Sequence, residues 1–401
     1  MTASSPDAAQ HIAPYLDELV AIRRDIHAHP ELGLKEYRTS KLVADKLQEW
    51  GIETDVGMAG TGVVGIIRGK RPGQKTIGLR ADLDALPIIE ETGVDYASRN
   101  DGIMHACGHD GHTTMLLGAA RYLAETRDFA GTVVLIFQPG EEGCGGARKM
   151  VEDGLFEKYP CDAVYGLHNR PGMPVGKIGC RPGPLLASGS WWQVKFVGTG
   201  GHGGGWAYKA TDVTVAGGNF LAMVHSIISR NIPSADTAVI SVGHVSSGVV
   251  TSPNVMPAEF LVAGIARTFK PEINETVKRR ITEIAEACAA MQGCKAEVSY
   301  WHKTHGVTNE LEQTAVAAAA AAATVGDANV ISDIPQSTGG EDFSEMMRVV
   351  PGTFSWIGNG AAPDGSVHMV HTPKYNFNDD VIPVGVKFWS EIVRAELDVS
   401  V

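Results

Sequence analysis

TVVLIFQPGEEG, residues 132–143, decides the fold. Val133 to Phe137 is apolar without alternation, the pattern of a strand covered on both faces. Pro139 stops the run, and two adjacent glutamates, Glu141 and Glu142, follow at once. GVVGIIRG (62–69), TIGLRADLDALP (76–87) and DAVYGLH (162–168) read as further strands of the same kind. Between them, TTMLLGAARYLAE (113–125) carries Met115, Leu116, Ala119, Ala120 and Leu123 at helical spacing. Pro14 to Trp50 reads as helix broken at HPELG (29–33). Strands alternating with helices imply an α/β layer fold around a mostly parallel central sheet.

Near Ser188 the pattern changes. SWWQVKFVGTG (190–200) alternates as a half-exposed strand does. A helical stretch (212–229), TAVISVGHV (237–245), EFLVAGIARTF (259–269), an amphipathic helix (271–292) and AEVSYWHKT (296–304) follow. This β-α-β-β-α-β order is the ferredoxin-like arrangement. The expected division is a catalytic domain in two parts, 1–187 and 305–401, with an inserted α+β domain at 188–304. In the last part, Glu310 and Glu312 open an alanine-rich helix, TFSWIGNG (353–360) returns to strand, and a helix with Trp389 and Ile392 closes the chain.

Composition narrows the function classes. Acidic residues outnumber basic ones 46 to 34, giving a net charge of −12. Such a surface repels phosphate backbones and anionic lipid, and no basic patch offsets it, so neither nucleic acid nor membrane is an expected partner. The six cysteines form no CxxC pair, which suits a reducing compartment. MTASSPDAAQ lacks the basic and apolar regions of a leader. The longest featureless apolar run, Ala315 to Ala323, is too short to span a bilayer. A cytoplasmic protein is the expectation. The 47 glycines imply many tight turns and loops that other groups approach closely.

Metal-capable side chains sit where apolar strands end or helices open. The segment HACGHDGH (105–112), read as a loop, holds His105, Cys107, His109, Asp110 and His112; QPGEEG (138–143) holds Glu141 and Glu142, and His168 follows DAVYGL. His371, in VHMVHTP (367–373), is a fourth candidate. Sites in open parallel sheets form beyond the carboxyl ends of the strands, so these segments point toward one crevice. Thiolate, imidazole and carboxylate together form a transition-metal set. Adjacent glutamates face different ways, so one can ligate while the other stays free as a base. A metal-bound water has its pKa lowered to about 7, and a nearby carboxylate can pass its proton to a leaving amine. This is a recipe for metal-assisted amide hydrolysis.

HACGHDGH, QPGEEG, LRADLDALP, GGHGG, NVMP, GGEDF, VHTP and the opening RRDIHAHPELGLKE stand in one order over roughly residues 15–395. Together they resemble the hippurate hydrolase and indole-acetyl-amino-acid hydrolase branch of the aminoacylase/carboxypeptidase metallopeptidases. The resemblance implies two divalent metals per subunit and leans to manganese or zinc, while the mixed donor set itself also tolerates cobalt or nickel. It implies Cys107, His109, Glu142, His168 and His371 as ligands and Glu141 as general base. His202, in GGHGG, matches the histidine that steadies the oxyanion across a dimer formed by the inserted lid domain. Asn254 and Arg267 match positions that hold the substrate carbonyl and carboxylate, and Asp84 matches one that orients a ligating histidine. The implied activity is hydrolysis of N-acyl amino acids, such as N-benzoylglycine, to a carboxylate and a free amino acid, by a homodimer or higher homo-oligomer.

Other residues have plainer readings. His27, His29, His105 and His112 are expected to be structural, and the remaining cysteines to be packing residues. Glu341 is either a support of the site or a helix cap. The family's lid motif usually runs GGHAA, then Pro-His, then Asp-Pro; this chain has GGHGGGWAYKATDV. Trp206 and Tyr208 could there form an aromatic wall for a bulky acyl group. The competing functions are a dipeptidase or carboxypeptidase, an aryl-amine deaminase, a non-catalytic binding protein and a structural metal protein. The last would favour a cysteine-rich set.

Overall fold

The computed structural model describes residues 7–397. Most of the segment read as lacking a leader therefore lies outside the described residues. Two compact units divide the chain. The larger holds the described residues up to Gly183, Thr308–Pro335 and those from Asp342 onward; the smaller holds Pro184–Val307 and Gln336–Glu341. The sequence division had assigned Gln336–Glu341 to the larger domain.

The larger unit is built on an eight-stranded sheet. Its centre is four mutually parallel strands in the spatial order Ala130–Gln138, Arg71–Asp82, Ala163–Pro171, Gly352–Gly360. Gly62–Arg68 and Glu53–Met58 extend one side antiparallel. The two-residue strands Ile178–Gly179 and Val330–Ile331 finish the other. Val133, Leu135, Ile77, Leu79, Val164 and Leu167 are all buried, and helices cover the sheet. The alanine-rich helix Leu311–Val325 and the closing helix Ile382–Leu397 belong to this core. Small residues let the helices approach closely: a Cβ on Gly118 would lie 2.6 Å from Val386 and 2.9 Å from Leu19.

The N-terminal helical region breaks as the sequence indicates, into Leu16–Ala28 and Tyr37–Glu49. One reading needs correction. HACGHDGH is not all loop: the helix His109–Thr126 starts inside it. Gly108 is its N-cap at φ 94°, and Asp110 supplies a negative charge in the first turn, where the helix dipole favours it. Cys107 thus lies on the loop and His109 on the helix.

The smaller unit carries four antiparallel strands in the order Ala238–Ser247, Glu259–Thr268, Ser188–Val197, Lys295–Thr304. Numbered along the chain that order is 2-3-1-4, with helices Val213–Val224 and Pro271–Met291 between strands. Trp192, Val194 and Phe196 alternate into its core. A two-stranded ladder pairs Gly201–His202 with Val255–Met256.

Candidate metal and catalytic site

In the larger unit, the folded chain brings together residues from four separate segments. The ligand atoms of Cys107, His109 and His168 lie within 4.8 Å of one another. Those of Cys107, Glu142 and His371 do so as well, and those of His109, Glu141 and Glu142 form a third such group. Cys107 Sγ is 3.3 Å from His168 Nε2, and His371 Nε2 is 2.9 Å from Glu142 Oε1.

Local structure fixes each member. Gly108 separates Cys107 from His109 in a left-handed conformation, and a Cβ there would meet Asn169 Nδ2 at 2.4 Å and the Tyr375 hydroxyl at 2.5 Å. Only glycine fits that turn. His109 Nδ1 donates to the Asp84 carbonyl (2.8 Å), which leaves Nε2 facing the cluster. His168 lies within the strand Ala163–Pro171, and its Nδ1 donates to the Asn169 carbonyl (2.7 Å). Holding the outer ring nitrogen in this way sets the tautomer that offers a lone pair at the inner one. His371 adopts φ 65°, and its backbone N–H donates to the Ala106 carbonyl (2.7 Å), tying the C-terminal loop to the Cys107 loop.

The glutamate loop is held from three directions. Asp84 accepts the backbone N–H of Glu141 at Oδ1 (3.1 Å) and that of Glu142 at Oδ2 (2.9 Å). Glu36, buried, accepts the Gly140 N–H (2.8 Å) and the Thr61 hydroxyl. Asp342 donates its N–H to Glu141 Oε1 (3.4 Å), while its own carboxylate receives Gln138 Nε2 (2.7 Å) and the Ala147 N–H (3.0 Å). Asp84 therefore acts on the glutamates through its carboxylate and on the histidine through both its carbonyl and that carboxylate, 3.3 Å from Nδ1. In GGEDF, Asp342 reaches Glu141 through its backbone N–H.

The donor set fits a cation. His109 Nε2 and Glu142 Oε1 are buried and make no hydrogen bond. Leaving such atoms without a partner costs roughly 1–3 kcal/mol each. Glu142 Oε1 and His371 Nε2 approach closely without hydrogen-bond geometry, as two ligands of one ion do. The electrostatics agree. Burial alone would lower the pKa of His109, yet Asp82, Asp84 and Glu142 outweigh it and hold it up to about 10. Burial, Glu142 and Glu141 push the Cys107 thiol well up. The carboxylates thus demand positive charge at this place, and a divalent cation supplies it while releasing the thiol proton.

His112 forms a further buried group with Asp82 and His109, their ligand atoms within 4.8 Å of one another, and both of its ring nitrogens are engaged. Its Nδ1 donates to Asp82 Oδ1 (2.7 Å), and its Nε2 accepts the Asn169 N–H (3.0 Å). Asp82 also receives Arg80 Nη1 (2.7 Å). Next to His109, Asp110 anchors a buried charge network. It meets Arg23 Nε at 3.0 Å and His27 Nδ1 at 2.8 Å, and His27 Nε2 reaches Glu90 at 3.1 Å. Asp82 and Asp342 were missed by the sequence reading, which counted Asp110 among the metal-capable side chains; Asp110 serves the charge network instead. The only signal Asp82 and Asp342 gave was an aspartate at the end of an apolar strand or beside a metal-capable residue.

The smaller unit holds the other candidates. His202 Nδ1 accepts the N–H groups of Gly204 (3.1 Å) and Gly205 (3.0 Å), so its ring proton sits on Nε2 as an outward donor. Asn254 is exposed beside it, its carbonyl accepting the Gly203 N–H (2.9 Å). Arg267 lies apart, half-buried on the strand Glu259–Thr268, with its pKa lowered by burial and no carboxylate paired with it among the described residues. A Cβ on Gly189 or Gly340 would come within 2.6 or 2.9 Å of its Nη1.

Residues 78–395 match the model of peptidase family M20/M25/M40. The chain belongs to that family. As an M20 protein it is a metal-dependent hydrolase of amide bonds. Over 382 residues it is 38% identical to N-acetylcysteine deacetylase of Bacillus subtilis, covering 95% of this chain and 97% of that one. It is 35% identical over 375 residues to hippurate hydrolase of Campylobacter jejuni, covering 94% and 95%. The crystal structure of Bacillus subtilis YXEP, described as a dinuclear metal-binding peptidase of the M20 family, superposes with a TM-score of 0.84 at 34% identity, covering 96% and 99%. No helix among the described residues of this M20 protein is long and apolar enough to cross a membrane.

Proposed function

We propose that the protein hydrolyses N-acyl amino acids of the hippurate type to a carboxylate and a free amino acid, using two divalent metal ions. One observation carries this reading: Cys107, His109, Glu142, His168 and His371 converge on one cluster with orphaned buried donor atoms, and Glu141 lies beside it. When bound, the cations supply charge that acidifies water and polarises the scissile carbonyl. Manganese or zinc suits the mixed donor set, and cobalt or nickel is tolerated by the same ligands.

The chain's own residues do the rest. Glu141 takes the proton from the attacking water at its carboxylate and delivers it to the leaving nitrogen. The Asp342 N–H and the Asp84 grip on the loop hold that carboxylate in place. His202 offers Nε2–H to the developing oxyanion, the Gly204 and Gly205 N–H groups holding its tautomer. Asn254 holds the substrate carbonyl, and Arg267 pairs with its carboxylate through a planar fork. The unpaired edge of the strand Ala238–Ser247 supports association of two copies through the smaller unit. The six free cysteines support a reducing, cytoplasmic location.

The test is chelation followed by stepwise addition of single ions, assayed on a panel of N-acyl amino acids, dipeptides and aryl amines. Turnover should vanish with the metal and return with manganese or zinc, highest on N-acyl amino acids. Full activity after verified removal of metal would refute the metal reading. Preferred turnover of dipeptides would replace the substrate class with that of a peptidase.

A further inference from the structure

The smaller unit has an open groove of about 410 Å³ lined by Gly200, Gly201, His202, Trp206, Lys209 and Ala210. Its size is that of a small-molecule site. The chemistry of its lining is uneven. The Trp206 ring stands edge-on to His202, with centroids 6.0 Å apart. Tyr208, next to the lining, is 81% exposed. Lys209 is the only charged residue in the lining, and no carboxylate pairs with it among the described residues. Its ammonium lies 5.7 Å from the centre of the Tyr208 ring.

An ammonium beside apolar walls is an anion receptor. Aromatic surface excludes water on one side and weakens the screening that makes an exposed charge ineffective. The reacting amide and the α-carboxylate already have partners in the proposed mechanism, so Lys209 is left for a charge elsewhere on the substrate. This inference rests on the hydrolase reading above. We infer that the His202 loop forms a subsite, with Lys209 as its specificity determinant, for N-acyl amino acids that carry a second carboxylate next to an apolar or aromatic group. Trp206 supplies the apolar contact.

The test uses isosteric substrate pairs that differ only in charge. On the amino-acid arm these are N-benzoylglutamate and N-benzoylglutamine; on the acyl arm, N-succinylglycine and its succinamoyl analogue. Metal-loaded wild type and Lys209→Met are compared by kcat/KM, with melting temperature and bound metal measured alongside. Wild type should prefer the charged member on one arm. Lys209→Met should reduce that preference about tenfold, the loss expected for one partly exposed charged hydrogen bond. Lys209→Arg should restore most of it, and added salt should weaken it in wild type and Lys209→Arg but not in Lys209→Met. Trp206→Ala should lower turnover of benzoyl more than acetyl substrates. Ratios that move less than twofold on both arms in Lys209→Met would overturn the subsite. Absence of turnover on every N-acyl amino acid would instead overturn the parent reading.

Discussion

Glu141→Ala is expected to bind metal as wild type does and to lose about 10²–10⁴-fold in kcat, the usual contribution of a positioned general base. Retention of metal follows from the geometry. The carboxylate of Glu142, not that of Glu141, faces His371 and the Cys107 thiol. The loop is gripped through the backbone N–H groups of both glutamates, which the substitution leaves in place. The variant should therefore fold, bind both ions by elemental analysis, and fail at proton transfer. Glu141→Gln should behave alike, because the amide keeps the shape and cannot take a proton. Turnover within tenfold of wild type in a metal-replete Glu141→Ala protein would remove the residue from the base role. Loss of metal in both variants would make it a ligand instead.

Asp110→Ala should be the most destabilising single change near the site, by about 3–5 kcal/mol. Its carboxylate is fully buried against Arg23 and His27, and both partners are buried themselves. Removing it takes their nearest carboxylate from a buried guanidinium and a buried imidazole, leaving Asp379 at 3.5 Å from Arg23 and Glu90 at 3.1 Å from His27, and breaking such a buried network costs more than the pair itself contributes. The pH dependence has a definite sign. Burial alone would raise the pKa of Asp110, but Arg23 and His27 hold it far below the usual carboxylate range. A depressed carboxylate stabilises above its unfolded pKa of about 3.9, and that contribution fades as pH falls toward the folded value. The gap between wild type and Asp110→Asn should thus be full at neutral pH and shrink below about pH 4. Urea denaturation of both proteins without metal isolates the effect from ion binding. A neutral-pH difference under 1 kcal/mol would show that water or rearrangement compensates the lost carboxylate.

Much of this architecture was legible because it repeats locally. The buried run at Val133–Phe137 and the alternating one around Trp192–Phe196 each announce how many faces a strand must cover. The metal-capable residues were legible because their types are rare in such positions. What stayed hidden is held by contacts across long stretches of chain. Asp342 reaches a glutamate 201 residues away, and Asp84 binds backbone N–H groups 57 and 58 residues on. Such contacts leave no period in the sequence. The helix start at His109 was hidden for another reason: glycine and histidine, poor helix formers, occupy its cap and first turn. The strands Ile178–Gly179 and Val330–Ile331 are too short to carry any pattern.

The strand Gly352–Gly360 sits between Ala163–Pro171 and Ile178–Gly179, so one of the last strands to leave the ribosome fills the interior of the large sheet. Until it arrives, Ala163–Pro171, which carries His168, has an unpaired edge. The four strands and two long helices of the smaller unit, in contrast, lie within one continuous stretch, Ser188–Thr304. A nascent chain can therefore complete that piece while the larger one still waits, with a sticky border that other chains could add to.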